Sequence, residues 1–217
     1  MTRERLQIVC LLAREPGVRV LEWLLSRATR FHVRGLWTHR LRPASEDPER
    51  RRRPEFSRFQ ALTRAHEIPL FVVDSRREAD LAPMAFLEPY DLLLSVSWRF
   101  LVPESRLGAS RLGDLNVHRG ELPRYKGAEP VRRMLTDGLG YATLSAHLMT
   151  ARYDEGEVIH AVRMPARVQR GEAIAEATER VKRELLDRYT VCVAEAIRRL
   201  QRRFVGADAP AAQESLG

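Results

Sequence analysis

Apolar residues fall in short runs along this chain, separated by polar stretches with a helical repeat. Leu6 to Ala13 is almost continuously apolar, the pattern of a central parallel strand buried on both faces. Glu15, Pro16 and Gly17 then turn the chain into an amphipathic helix that is expected to run to about Arg30. Further strands are predicted over 33–39, 69–74 and 91–97, with helices over 55–67 and near 78–86 between them. Strands alternating with helices in this way build an α/β sheet with crossover connections.

The pattern is broken at one place. The strand that approaches through Leu112, Gly113, Asp114 and Leu115 carries Asn116 and His118 where apolar residues are expected. Successive side chains of a strand alternate faces, so these two point the same way with Cα atoms roughly 6 to 7 Å apart. Pro123 to Gly127 end the strand in a loop, which leaves the pair at a carboxyl end, where open α/β sheets keep their ligands. Downstream, a helix over 130–136 leads to a strand over 142–149 that places Thr143, Ser145 and His147 on one face. The loop 150–157 carries Asp154, with Gly156 for a tight turn, and a strand follows over 157–165. One long helix then buries Ile174, Ala177, Val181, Leu185, Tyr189, Cys192, Ala196 and Leu200. The fold expected is α/β, a Rossmann-like open twisted sheet of about seven strands, mostly parallel, flanked by helices. Residues 1–204 form the domain and 205–217 a disordered tail.

Composition narrows the partners. The chain has 217 residues and 44% hydrophobic content, enough for one domain with a substantial core. No apolar stretch reaches the roughly 20 residues a bilayer span needs, and no apolar segment opens the chain as a signal peptide would. A cytoplasmic location is expected. Cys10 and Cys192 lie in apolar surroundings, which suits free buried thiols and neither a disulfide nor a metal site. The net charge is +8, from 37 basic and 29 acidic residues, and Lys126 and Lys182 are the only lysines. Arginine is interleaved with acidic residues, so a noncatalytic nucleic-acid binder rests on charge alone. The one basic cluster, Arg40, Arg42 and Arg50 to Arg53, falls in a polar loop that serves either as an anion clamp or as a solvated surface. Gly17 stands alone after the first strand, so no glycine-rich phosphate cradle is present there.

Asn-Val-His at 116–118, Leu-Pro-Arg-Tyr-Lys-Gly-Ala-Glu-Pro at 122–130 and Asp-Glu-Gly-Glu-Val at 154–158 together resemble the formyltransferase domain that uses 10-formyltetrahydrofolate. Asp154 lies 36 residues after His118, as that pattern requires. The family commonly carries Pro-Ser-Leu-Leu-Pro after the histidine, and this chain has Arg119, Gly120, Glu121, Leu122 and Pro123. The resemblance implies that Asn116, His118 and Asp154 are catalytic. It implies that 10-formyltetrahydrofolate, leaving as tetrahydrofolate, sits against Trp98, Arg99, Phe100, Leu101, Tyr153 and Gly156, although Trp98 also reads as plain core. The acceptor is then expected near Thr38, His39, Glu121, Arg124, Tyr125 and Lys126, with Ser145 and His147 in support. Methionyl-tRNA members carry a further C-terminal domain, and none is expected within these 217 residues.

In this reading a protonated His118 and the Asn116 amide hold a developing oxyanion, while Asp154 raises the proton affinity of His118. The expected reaction is formyl transfer to the primary amine of a small molecule, an amino sugar nucleotide leading. The alternatives are a hydrolase that releases formate from the same donor and a glycinamide ribonucleotide formyltransferase-like enzyme. Membrane and nucleic acid are not expected partners, and a homodimer is left open.

Overall fold

The computed structural model describes residues 5–75, 84 and 87–207. The helix expected near 78–86, Met84 apart, and the tail from 208 onward lie outside the described residues. Seven strands make one sheet: β1 (Leu6–Leu12), β2 (Phe31–Thr38), β3 (Leu70–Val72), β4 (Leu92–Val96), β5 (Gly113–His118), β6 (Tyr141–Leu148) and β7 (Val158–Pro165). Their order is β3-β2-β1-β4-β5-β6-β7. The first five pair in parallel and the last two run antiparallel. This is the Rossmann-like, mostly parallel sheet that the hydrophobic runs predict.

The period of two in β1 divides its residues between two cores. Ile8, Cys10 and Leu12 pack with Leu21 of α1 (Arg14–Leu25) and Tyr189 of α5 (Arg188–Ala207). Val9 and Leu11 face Trp37, Leu93 and Val102 on the other side. Each fully buried aliphatic side chain contributes roughly 1.5–3 kcal/mol, so a strand sealed on both faces anchors the sheet.

Connections leave β1 toward β2 and β3 on one side and return through β4 and β5 on the other. The strand order reverses between β1 and β4, which opens a crevice at their carboxyl ends.

Several element boundaries differ from expectation. Helix α1 begins at Arg14, so Pro16 and Gly17 lie in its first turn rather than before it, a place where proline costs little. A Cβ on Gly17 would stand 3.0 Å from Leu12 backbone, so glycine lets the helix pack directly on the strand it follows. The same helix stops at Leu25, where the Ser26 hydroxyl donates to the Trp23 carbonyl at 2.9 Å, and β2 starts earlier, at Phe31. The single long C-terminal helix is two, α4 (Ile174–Glu184) and α5. Leu185 and Tyr189 both remain in the core across the break, so the four-residue spacing hides the turn. Residues 205–207, expected in the tail, belong to α5.

The arginine-rich loop is folded. Leu41 bridges Arg52, and the Arg42 and Arg53 amides donate to Arg51 and Arg40 carbonyls, closing a short antiparallel hairpin. Asp74, 6% exposed, accepts from the amides of Arg40 and Leu41 and holds the hairpin to the end of β3.

Candidate active site

Antiparallel register sets Asn116 opposite His147 and His118 opposite Ser145. Opposed residues share a face of the sheet, so four polar side chains converge where β5 ends. Asp154 closes the group from the loop after β6. One carboxylate oxygen lies 3.2 Å from His118 Nδ1, and the other lies 3.3 Å from His147 Nε2. The Gly127 amide donates to the same carboxylate at 2.9 Å.

Asp154 itself takes the left-handed backbone conformation, with φ of +54°, which aspartate tolerates better than most residues. Gly156 is needed for a different reason than a positive φ. A Cβ there would stand 1.7 Å from the Leu148 carbonyl oxygen, so glycine allows the loop to lie against β6 and deliver Asp154.

The hydrogen bonds fix each group. His147 Nδ1 lies 2.9 Å from the Leu148 carbonyl, and its Nε2 lies 3.0 Å from the Asn116 amide nitrogen, on the side that also faces Asp154. His118 Nε2 donates to the Tyr125 carbonyl at 2.8 Å. The Ser145 hydroxyl donates to the Gly120 carbonyl at 2.7 Å and so clamps the turn after β5. Gly120 has no substitute there, because a Cβ would come within 2.6 Å of the Tyr125 oxygen and 2.7 Å of His118 Nε2.

Electrostatics correct one expectation. Burial pulls the His118 pKa below its ordinary value. Asp154 and the Tyr125 carbonyl favour the charged ring, as anticipated for Asp154, but they do not overcome desolvation, and His147 and Arg119 add to the lowering. His118 is therefore neutral at rest, not protonated. Burial also opposes the charge on Asp154, yet His147, His118 and the Gly127 amide together hold its pKa below the usual carboxylate range. One imidazole proton meets two acceptors, the Tyr125 oxygen and the Asp154 carboxylate, so a second proton arriving at His118 would be held at once.

A cavity of about 560 Å³ opens beside this group, lined also by Ser97 and Val102 beyond the end of β4. Its flat wall consists of Trp98, stacked on His39 at 4.2 Å between ring centroids, and Phe100, edge-on to both. Leu101 and Tyr153 line it as well, 39% and 49% exposed. Trp98 packs against the second core and lines the cavity at once, so both readings of it hold. Its buried Nε1 has no partner among the described residues.

Arg99 lines the cavity and binds the Leu41 and Asp74 carbonyls. His39 is held between the Val73 carbonyl and the Arg99 amide, and burial pushes its pKa down to about 3.

Other candidates lie elsewhere. Thr38 is sealed in β2, and Gly156 stands behind the Asp154 loop; neither lines the cavity. Glu121 turns away to the β6–β7 side, where Arg163 donates at 2.5 Å and the Tyr141 hydroxyl at 3.1 Å. Arg124 stacks outside on Tyr125, whose hydroxyl donates to Asp137 at 2.6 Å, and Lys126 pairs with Glu155 at 2.7 Å. Tyr125 reaches the site only through its carbonyl. Conversely, Arg14 and Arg119 line the cavity although sequence reasoning passed them over. Each follows directly on a buried strand end, the same signal that marks His118.

A family model described as formyl transferase matches residues 42–189. Among curated proteins, the methionyl-tRNA formyltransferase of Nitrosococcus oceani is 31% identical over 137 residues, 63% of this chain and 41% of that protein. That of Pseudomonas putida is 36% identical over 110 residues, 50% of this chain and 35% of the relative. The chain thus matches well under half the length of either. Among solved structures, glycinamide ribonucleotide transformylase 1 from Symbiobacterium toebii superposes with a TM-score of 0.67 at 22% identity, over 89% of this chain and 86% of that one. A formyltetrahydrofolate deformylase from Pseudomonas syringae pv. tomato gives 0.71 at 17% identity, over 93% and 63%. These two likenesses speak to the fold. With the family model spanning more than half the sequence, the chain belongs to the formyl transferase family.

Proposed function

We propose that this enzyme moves a formyl group from 10-formyltetrahydrofolate to the primary amine of a small acceptor, with an amino sugar nucleotide as the leading class. The observation that carries the reading is Asp154, whose two oxygens reach both histidines beside Asn116 at the mouth of the cavity. The donor fits the residues present: Trp98, stacked on His39 and met edge-on by Phe100, gives the cavity an aromatic lining against which a fused heteroaromatic ring can pack. The donor supplies an activated formyl group; the chain supplies the rest.

Amine attack on a formyl carbon builds an oxyanion and leaves a surplus proton on the amine nitrogen. Asn116, held by His147, presents its amide at the strand end to stabilise the oxyanion. The Asp154–His118 pair takes the surplus proton, through a water, because a neutral His118 with two acceptors gains a hydrogen bond when it is charged. The same proton then returns to the leaving nitrogen. The cavity wall excludes bulk water from the exchange.

Incubation with 10-formyltetrahydrofolate, alone and with a panel of amino sugar nucleotides and simple amines, tests this. Formylated amine, with the donor stable in its absence, is the expected result. Donor consumed equally with no amine present would make the enzyme a hydrolase and overturn the proposal.

A further inference from the structure

The loop after β5 meets both halves of the proton pair through its backbone. The Tyr125 carbonyl accepts from His118 Nε2 at 2.8 Å, and the Gly127 amide donates to Asp154 at 2.9 Å. On the other side of the same loop stands Arg133. Its Nη1 donates to the Lys126 carbonyl at 2.8 Å and the Ala128 carbonyl at 3.4 Å, and its Nη2 to the Arg124 carbonyl at 3.3 Å. Residues 125 and 127 thus serve the site, while 124, 126 and 128 are gathered on one guanidinium.

The bond to Lys126 matters most. The Lys126 carbonyl and the Gly127 N–H belong to one planar trans peptide group, so its oxygen and its hydrogen point in opposite directions. Arg133 holds the oxygen end while the hydrogen end meets Asp154, and the guanidinium therefore sets the plane along which that N–H is aimed. A cation on the carbonyl also polarises the peptide and makes its N–H a stronger donor. That bond is one of the contacts that keep Asp154 ionised.

The loop gives this peptide little support of its own. Residues 123–129 are exposed apart from Tyr125. The Tyr125 ring lies 5.5 Å from the Arg133 guanidinium carbon, and its hydroxyl donates to Asp137 at 2.6 Å; these contacts locate residue 125 and leave the next peptide to turn. The Lys126–Glu155 pair is exposed and contributes little. Glu129 sits at φ of +48°, a conformation that persists where neighbours fix it. Arg133 itself is firmly mounted, because α3 (Pro130–Thr136) buries Val131, Met134 and Leu135 in the core.

We propose that Arg133 is a positioning residue for the transfer: by gripping the Lys126–Gly127 peptide it aims the amide that fixes Asp154 between His118 and His147. This rests on the proposed reaction and adds to it a residue that does not line the cavity. Arg133 never meets substrate, so its effect falls on the geometry of the proton path, where a displacement of about 1 Å costs up to roughly a hundredfold in rate.

One peptide signal tests it. Lys126 and Lys182 are the only lysines, and Arg183 follows the second, so full-length enzyme labelled with carbonyl-¹³C lysine and ¹⁵N glycine gives a single lysine–glycine correlation, that of the Gly127 amide. No donor or amine is needed. In wild type the amide proton should lie downfield of its position in Asp154→Ala and exchange slowly with water. In Arg133→Gln it should move toward the Asp154→Ala position and exchange several-fold faster, and kcat should fall by roughly tenfold to a hundredfold. Arg132→Gln, on the same helix but paired outward with Glu129, should change neither. An unmoved amide or unchanged kcat in Arg133→Gln, or an equal effect in Arg132→Gln, would overturn the role. A wild-type amide already at the Asp154→Ala position would overturn it too, whether or not Arg133→Gln folds. The expected shifts in an enzyme that transfers no formyl group would instead count against the transfer reading and leave the grip on Asp154 standing.

Discussion

In the proposed reaction His118 takes a proton, burial favours its uncharged form, and its neighbours define what substitutions should do. Asn116→Ala, His118→Ala and Asp154→Asn are each expected to lower kcat by more than about tenfold, since each removes a group from the proton path or the oxyanion. Unchanged turnover in all three, with far-UV dichroism intact, would take the cluster out of catalysis. Glu121→Gln should leave the amine KM as it is, because Arg163 and Tyr141 hold that carboxylate outside the cavity; a raised KM would return Glu121 to the acceptor site.

His39 gives the pH dependence. Its unfolded pKa near 6.5 drops to about 3 on folding, so the unfolded chain binds more protons below pH 6.5 and stability falls as the solution is acidified. The loss by pH 5 is roughly 2 kcal/mol, and His118 adds to it in the same direction. Urea midpoints at pH 7 and 5 should show this slope, and His39→Gln should flatten it.

Among the elements, strands were the most legible in the sequence. The buried runs of β1 and β4 and the polar break at Asn116 and His118 in β5 follow from period alone, while Asp154 was singled out only by the resemblance. What stayed hidden depends on partners distant in sequence. The α4–α5 break keeps Leu185 and Tyr189 in phase, so no periodicity can reveal it. The hairpin over 41–52 reads as a polar loop because Asp74, far away in sequence, supplies the bonds that fold it. Asp74→Ala should therefore cost about 2–3 kcal/mol, leaving two amides without their acceptor, and should open the hairpin to limited trypsin digestion at Arg50 to Arg53. Equal digestion rates would show that the hairpin holds itself. The burial of Arg53 was equally illegible: it belongs to a cluster that reads as clamp or solvated surface until the folded hairpin seals it.

Across the whole molecule, the reversal between β1 and β4 gathers the candidate site at the carboxyl ends of the strands, while both faces of β1 are packed in core. The antiparallel pairing of β5 with β6 has a further consequence. Only the observed pairing puts His147 across from Asn116 and Ser145 across from His118; a shift by one residue would present Ala146 and Leu148 instead, with both polar groups on the far side. A chain that closes its sheet out of step is thus chemically silent, however compact it becomes. Turnover then serves as a gauge of assembly fidelity, and activity regained during refolding should trail the return of helical signal by the time the last two strands take to settle.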